Sequence, residues 1–160
     1  AARILKETRC QAVKLEGGAE RAEVIEALAS SGIPVMAHVG LLPQNVHRLG
    51  RYSVQRNRDE LLADARAAES AGAFAIVLEC IPAEIASEIT AALAIPTIGI
   101  GAGCDGQVLV MHDLLGLTPG RMPRHVKVYA DLKDQVVRAV TEYRDEVRGG
   151  IFPGEGQTFH

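Results

Sequence analysis

Ala73-Phe-Ala-Ile-Val-Leu-Glu79 is an unbroken apolar run closed by a carboxylate, with Gly72 before it and Pro82 just after. A run this short and this apolar reads as a strand buried on both faces. Residues 59–71 upstream carry helical spacing and stop at Gly72. Residues 82–93 downstream carry another helix, with Pro82 at a natural first-turn position. The same alternation extends outward in both directions. Residues 11–16 read as a strand ending at Gly17-Gly18. Residues 19–31 read as a helix with Val24, Ile25, Leu28 and Ala29 on one face and Gly32 as its stop. Pro34 opens a strand over Val35-Met-Ala-His-Val39, and a polar, Gly- and Arg-rich loop runs from about Leu41 to Arg58. Pro96-Thr-Ile-Gly-Ile100 is a fourth strand and Gln107-Val-Leu-Val-Met111 a fifth.

Strand–helix repetition with continuously apolar strands predicts an α/β fold, a parallel sheet covered by helices. A (β/α)₈ barrel of about 250 residues spends roughly 31 on each unit, so five units need about 155. Five strands in 160 residues fit part of such a barrel as well as a small open sheet. Residues 124–147 differ from the other helical stretches. Tyr129, Leu132, Val136, Val140, Tyr143 and Val147 recur at helical spacing, predicting one long helix with an apolar stripe. The tail from Ile151 to His160 is irregular. One domain over 1–160 is expected.

Composition narrows the function classes. Lys plus Arg count 17 against 20 for Asp plus Glu, a net charge of -3, so there is no basic footprint for nucleic acid. No apolar run approaches the roughly 20 residues a membrane helix needs. No basic-then-apolar amino terminus suggests a signal peptide. Cys10, Cys80 and Cys104 are widely spaced, without a CxxC pair, and point to a reducing cytoplasm rather than a disulfide framework.

Candidate chemistry gathers at strand ends, where parallel α/β folds bind ligands. Lys14 and Glu16 are two apart on one strand and share a face. They read equally well as binding groups or as a simple ion pair. Glu79 closes the most apolar strand; a carboxylate held away from water is a candidate general base, and the bland alternative is an acid favouring the next helix dipole. His38 ends a strand, where a hydrogen-bonded core histidine is the commoner role. Adjacent side chains on a strand point oppositely, so His112-Asp113 reads as a turn or cap rather than a metal pair. His47, His125 and His160 carry no spacing signal. Gly101-Ala-Gly-Cys-Asp-Gly106 matches G-x-G-x-x-G, but a strand-like run follows and the residue 20 further on, Val126, is not an acid. A dinucleotide site is therefore rejected. A glycine-lined substrate loop stays open.

These residues also fall in six ordered blocks. They are Val13-Lys-Leu-Glu-Gly-Gly18; His38-Val-Gly-Leu41 with Pro43-Gln44; Val77-Leu-Glu79 with Pro82; Ile98-Gly-Ile-Gly-Ala-Gly103; Asp105-Gly-Gln-Val-Leu-Val-Met-His-Asp113; and Phe152-Pro-Gly-Glu155 with Phe159-His160. In this the chain resembles the ketopantoate hydroxymethyltransferase (3-methyl-2-oxobutanoate hydroxymethyltransferase) family. The resemblance implies a (β/α)₈ TIM barrel, of which this chain would be strands four to eight plus the long helix. It implies transfer of a hydroxymethyl group from 5,10-methylenetetrahydrofolate to 3-methyl-2-oxobutanoate, giving ketopantoate for pantothenate and coenzyme A. It also implies Mg²⁺, a cytoplasmic homo-oligomer (a decamer), and subunit contacts through helix 124–147 and the tail.

Carried over residue by residue, the resemblance makes Glu79 the base, Lys14 the cation that holds the substrate carboxylate, and Glu16 a metal-site acid, directly or through water. His38 would orient the site. The family's two aspartate ligands and a substrate-contacting serine have no counterpart in these residues. The loops after Gln55 and between Gly103 and Asp105 are shorter than the family's. The rival readings are a Mg²⁺ enolate barrel of the phosphoenolpyruvate mutase and isocitrate lyase type, and a non-catalytic barrel fragment that only oligomerises.

Overall fold

A computed structural model describes residues 1–45 and 54–159. The middle of the polar stretch 41–58, with His47, and the terminal His160 lie outside the described residues. The chain divides into two compact units, Ala1–Val108 and Leu109–His160.

In the first unit, helix α1 (Ala2–Glu7) leads to strand β1 (Val13–Glu16). Helix α2 (Ala22–Ser30), strand β2 (Val35–Gly40), helix α3 (Arg58–Ser70), strand β3 (Ala75–Glu79), helix α4 (Ala83–Ala92), strand β4 (Thr97–Ile100) and the short β5 (Gly106–Gln107) follow. The five strands form one sheet in the order β1-β2-β3-β4-β5, every pair parallel. Sequential order lacks the reversal that defines a doubly wound sheet.

Local chemistry explains the boundaries. The Asn57 side chain accepts from the Glu60 N–H and donates to the Glu60 carboxylate at 2.9 Å, which starts α3. Gly32, at φ 77°, follows the end of α2 where the chain must turn left-handed. Pro82 caps α4 from just outside it.

The sheet has two unlike faces. Val35, Ala37 and Val39 of β2 and Ile76 and Leu78 of β3 pack against Ile25 of α2, Leu61, Ala65 and Ala68 of α3, and Ala86 and Ile89 of α4. Ile25, Ile76, Leu78 and Ile89 are fully buried there; each contributes about 1.5–3 kcal/mol relative to exposure. The other face carries Lys14, Glu16, Met36, His38, Val77, Glu79, Ile98 and Ile100. That face holds the candidate chemistry.

Three sequence expectations need correcting. Val24 is exposed at 45%, so the buried contribution of α2 centres on Ile25. The fifth strand is Gly106–Gln107, not 107–111. Only Gly101–Asp105 separates it from β4, too short for a helical crossover. The Asp105 carboxylate accepts from both the Thr97 N–H and its hydroxyl at 3.0 Å, fixing just the first two residues beside β4. The third correction concerns the second unit. Its long helix, α6 (Leu132–Arg148), starts eight residues later than 124. The Tyr129 N–H donates to Leu114 O at 2.8 Å and the Leu132 N–H to Leu115 O at 3.1 Å. These bonds tie the preceding stretch to the short helix α5 (Met111–Leu114) instead of to a helical ladder.

Asp113 within α5 accepts from the Thr118 hydroxyl, the turn role expected for His112-Asp113. On α6, Val136, Val140, Tyr143 and Val147 form an exposed apolar stripe. Tyr143 meets Phe152 edge to face at 5.2 Å. No helix among the described residues is long and apolar enough to cross a membrane.

Candidate active site

Register assembles the site. Lys14 and Glu16 lie on one face of β1 because strand side chains alternate. Parallel pairing sets Glu16 beside His38 and Gly40 beside Glu79. Three consecutive strands therefore present Glu16 and His38 at one level, Glu79 one step above them and Lys14 one step below, on the same face near the carboxyl ends. His38 is fully buried, and the Glu16 and Glu79 side chains are only 11% and 15% exposed. Lys14 Nζ is 3.0 Å from His38 Nδ1. His38 Nε2 is 3.2 Å from Glu79 Oε2, and Nδ1 is 4.0 Å from Glu16 Oε1. The Gln44 N–H donates to Glu16 Oε2 at 3.1 Å. The structure thus brings together all four residues that the sequence singled out.

The backbone after Glu79 is unusual. Cys80 has φ 52°, a conformation that L residues other than Asn and Asp rarely adopt. Its N–H donates to Ile100 O at 2.9 Å, and the Leu41 N–H donates to Glu79 O at 2.9 Å. Both bonds hold the strand end that carries the carboxylate. Burial pushes the Cys80 thiol above its ordinary range, and the Glu79 charge pushes it further. Gly40 lies so close that a Cβ there would meet Glu79 O at 2.3 Å.

A family model described as ketopantoate hydroxymethyltransferase matches residues 1–155. The chain belongs to the ketopantoate hydroxymethyltransferase family. It is 56% identical over 160 residues to the 3-methyl-2-oxobutanoate hydroxymethyltransferase of Rhodopirellula baltica, covering 99% of this chain and 60% of that protein. It is 57% identical over 166 residues to the protein of that name from Geotalea daltonii, covering 100% of this chain and 62% of that protein. The Geobacter sulfurreducens protein of that name is 54% identical over 165 residues, covering 99% and 62%. The chain spans about three-fifths of the length of these relatives.

Family membership raises the question of Mg²⁺. Among the described residues, no group of three or more His, Cys, Asp or Glu is arranged to hold a metal ion. Glu16 offers one carboxylate, and one of its oxygens is already engaged by the Gln44 N–H. A hard divalent cation needs several oxygen ligands. The residues described here do not make that site by themselves.

The glycine loop after β4 folds on itself. Gln107 Nε2 donates to Ala102 O at 2.8 Å, and Gly99 leaves room for that carbonyl. Asp105 is committed to Thr97, whose backbone N–H and hydroxyl hold its carboxyl below the usual range. Sequence reasoning missed a cavity of about 450 Å³ lined by Gly18, Gly40, Leu42, Asn57, Glu60 and Asp64. Burial raises the Asp64 carboxyl, with Glu20 and Glu60 adding to it and the Ala19 N–H opposing. Asp64 read as one more polar position on an amphipathic helix, so only the packing of α3 reveals it.

Proposed function

We propose that the protein containing this chain transfers a hydroxymethyl group from 5,10-methylenetetrahydrofolate to 3-methyl-2-oxobutanoate, forming ketopantoate. The observation that carries the reading is the cluster of Lys14, Glu16, His38 and Glu79 on one face near the carboxyl ends of consecutive parallel strands. Family membership supports it.

In this reading Glu79 takes the proton from C3 of the 2-oxo acid. The C–H electron pair moves into an enolate, with charge on the C2 oxygen. Water supplies the hydroxyl oxygen: it releases the one-carbon unit as formaldehyde, both C–N bonds break, and the two nitrogens leave protonated as tetrahydrofolate. The enolate carbon bonds to the formaldehyde carbon, and the formaldehyde oxygen takes the proton from Glu79. Lys14, whose ammonium lies 3.0 Å from His38 Nδ1, binds the substrate carboxylate. His38 orients Glu79 from beneath. The resemblance also implies Mg²⁺, which would supply positive charge to the developing enolate oxygen, with Glu16 adding one carboxylate directly or through water.

The five sequentially ordered strands, helix-covered on one face and functional on the other, fit part of a closed (β/α)₈ barrel wall, strands four to eight in the family's count. Residues 1–160 belong in this reading to one domain. The exposed apolar stripe of α6 and the tail then serve subunit contacts in a cytoplasmic homo-oligomer, a decamer by family likeness. The test is turnover by the intact protein with 3-methyl-2-oxobutanoate, 5,10-methylenetetrahydrofolate and Mg²⁺, followed by product mass. Ketopantoate that forms only when folate is supplied supports the reading. Folate-independent chemistry would instead favour an enolate barrel of the phosphoenolpyruvate mutase type, and no turnover would favour a non-catalytic, oligomerising role.

A further inference from the structure

His38 lies between a donor and an acceptor, and the two distances on its Nδ1 decide where its proton sits. Lys14 Nζ is 3.0 Å away. Glu16 Oε1 is 4.0 Å away, beyond hydrogen-bond length. A lysine ammonium has three N–H donors and no acceptor, so the shorter contact requires a lone pair on Nδ1. A glutamate would demand the opposite, an N–H on Nδ1. A doubly protonated ring would set an N–H against the ammonium. The ring is then neutral, with its single proton on Nε2.

Nε2 is buried and lies 3.2 Å from Glu79 Oε2. The distance is that of a hydrogen bond, but the alignment is not yet one, and Nε2 has no other hydrogen-bond partner among the described residues. A buried donor left in this state is costly, and a small rotation of the Glu79 carboxylate removes the cost.

We propose that Lys14 locks His38 in its Nε2–H tautomer, and that this N–H holds Glu79 Oε2 so that Oε1 faces the substrate proton. The proposal rests on the reading of Glu79 as the base. His38 is then a positioning residue. Lys14 has a double task, because one N–H goes to His38 and two remain for the carboxylate of a 2-oxo acid. Binding the substrate and aiming the base are joined in one ammonium group.

The test reads the tautomer directly. The intact protein is labelled with ¹⁵N-histidine, and ring nitrogens are observed through their coupling to the carbon-bound ring protons. His38→Gln assigns the His38 signals by their loss. The expected spectrum shows a protonated Nε2 and an unprotonated Nδ1. A proton on Nδ1, or on both nitrogens, overturns the proposal. Lys14→Met should release the ring into a tautomer mixture; an unchanged spectrum removes Lys14 from the device.

A second readout is C3 deuterium exchange of 3-methyl-2-oxobutanoate. His38→Leu should lower it on the order of 100-fold, the cost of misplacing a reacting group by about 1 Å. His38→Gln, whose amide oxygen can accept from Lys14 and whose NH₂ can donate to Glu79, should restore most of it. Full exchange in His38→Leu would refute the positioning role. Absence of exchange in the unaltered protein would count against Glu79 as base, separately from the tautomer that the spectrum decides.

Discussion

Replacing Gly40 by alanine tests whether the end of β2 sets the position of Glu79. The two residues are register partners, and Gly40 has φ 96°. An added Cβ would sit 2.3 Å from Glu79 O and 2.9 Å from Ile81 Cγ1. Opening the first contact to 3.0 Å, the shortest approach real Cβ atoms tolerate, moves one backbone by about 0.7 Å. An L side chain at positive φ costs about 1–2 kcal/mol. Crowding against backbone in a packed region adds about 1–3 kcal/mol. The expected loss of stability is therefore about 3 kcal/mol. Because the displaced residue carries the candidate base, proton transfer should also slow on the order of 100-fold.

Gly32→Ala is the control. Its φ is 77°, but nothing lies within 4 Å of the added Cβ. Only the conformational cost applies, about 1 kcal/mol, with no effect on chemistry. Urea unfolding gives the stabilities, and C3 deuterium exchange followed by proton NMR gives the rates. If Gly40→Ala costs no more than Gly32→Ala, or exchanges at the parent rate while folded, the close approach does not position Glu79 and the reasoning is wrong.

Three further outcomes are expected. Glu79→Gln should lower C3 exchange by about 10²–10⁴-fold while leaving 2-oxo acid affinity, measured by calorimetry, largely intact; retained exchange would remove Glu79 as the base. Lys14→Ala should weaken that affinity and, through His38, slow exchange as well; an unchanged dissociation constant would remove Lys14 from substrate binding. Asp64→Asn tests the buried carboxyl by pH. The native carboxyl holds its proton to higher pH than the unfolded one, so wild-type stability falls as pH rises through the native value. The variant escapes that loss. Its urea midpoint relative to wild type should climb from acid to neutral pH, and a flat or falling difference would contradict the burial argument.

How much of the site was legible beforehand follows from the range of each signal. Lys14 and Glu16 share a face because the side-chain period of a strand is two, a property visible within three residues. Glu79 stood out because a carboxylate closes an apolar run. His38 was ambiguous, since a strand histidine has many roles; only pairing with β1 and β3 put it between Lys14 and Glu79. Gly40 and Cys80 gave no signal. Their importance lies in the 2.3 Å that an added Cβ at Gly40 would leave to Glu79 O and in the φ of 52° at Cys80, and neither is written in spacing. The strand at 107–111 and the helix at 124–131 were misread for one reason. Local apolar periodicity was right, but nonlocal bonds from Asp105 to Thr97 and from Tyr129 to Leu114 took the backbone elsewhere.

The sequence by itself determined the α/β alternation and the family, and it singled out the four candidate residues. Those depend on local pattern and on short blocks of chain. The tertiary structure alone decided which side chains meet. It set the strand order, aligned Glu16 with His38 and Gly40 with Glu79, and buried His38 with its Nδ1 3.0 Å from the Lys14 ammonium. Contact across strands depends on register, and register is fixed by the packing of a whole face against its helices rather than by any one segment.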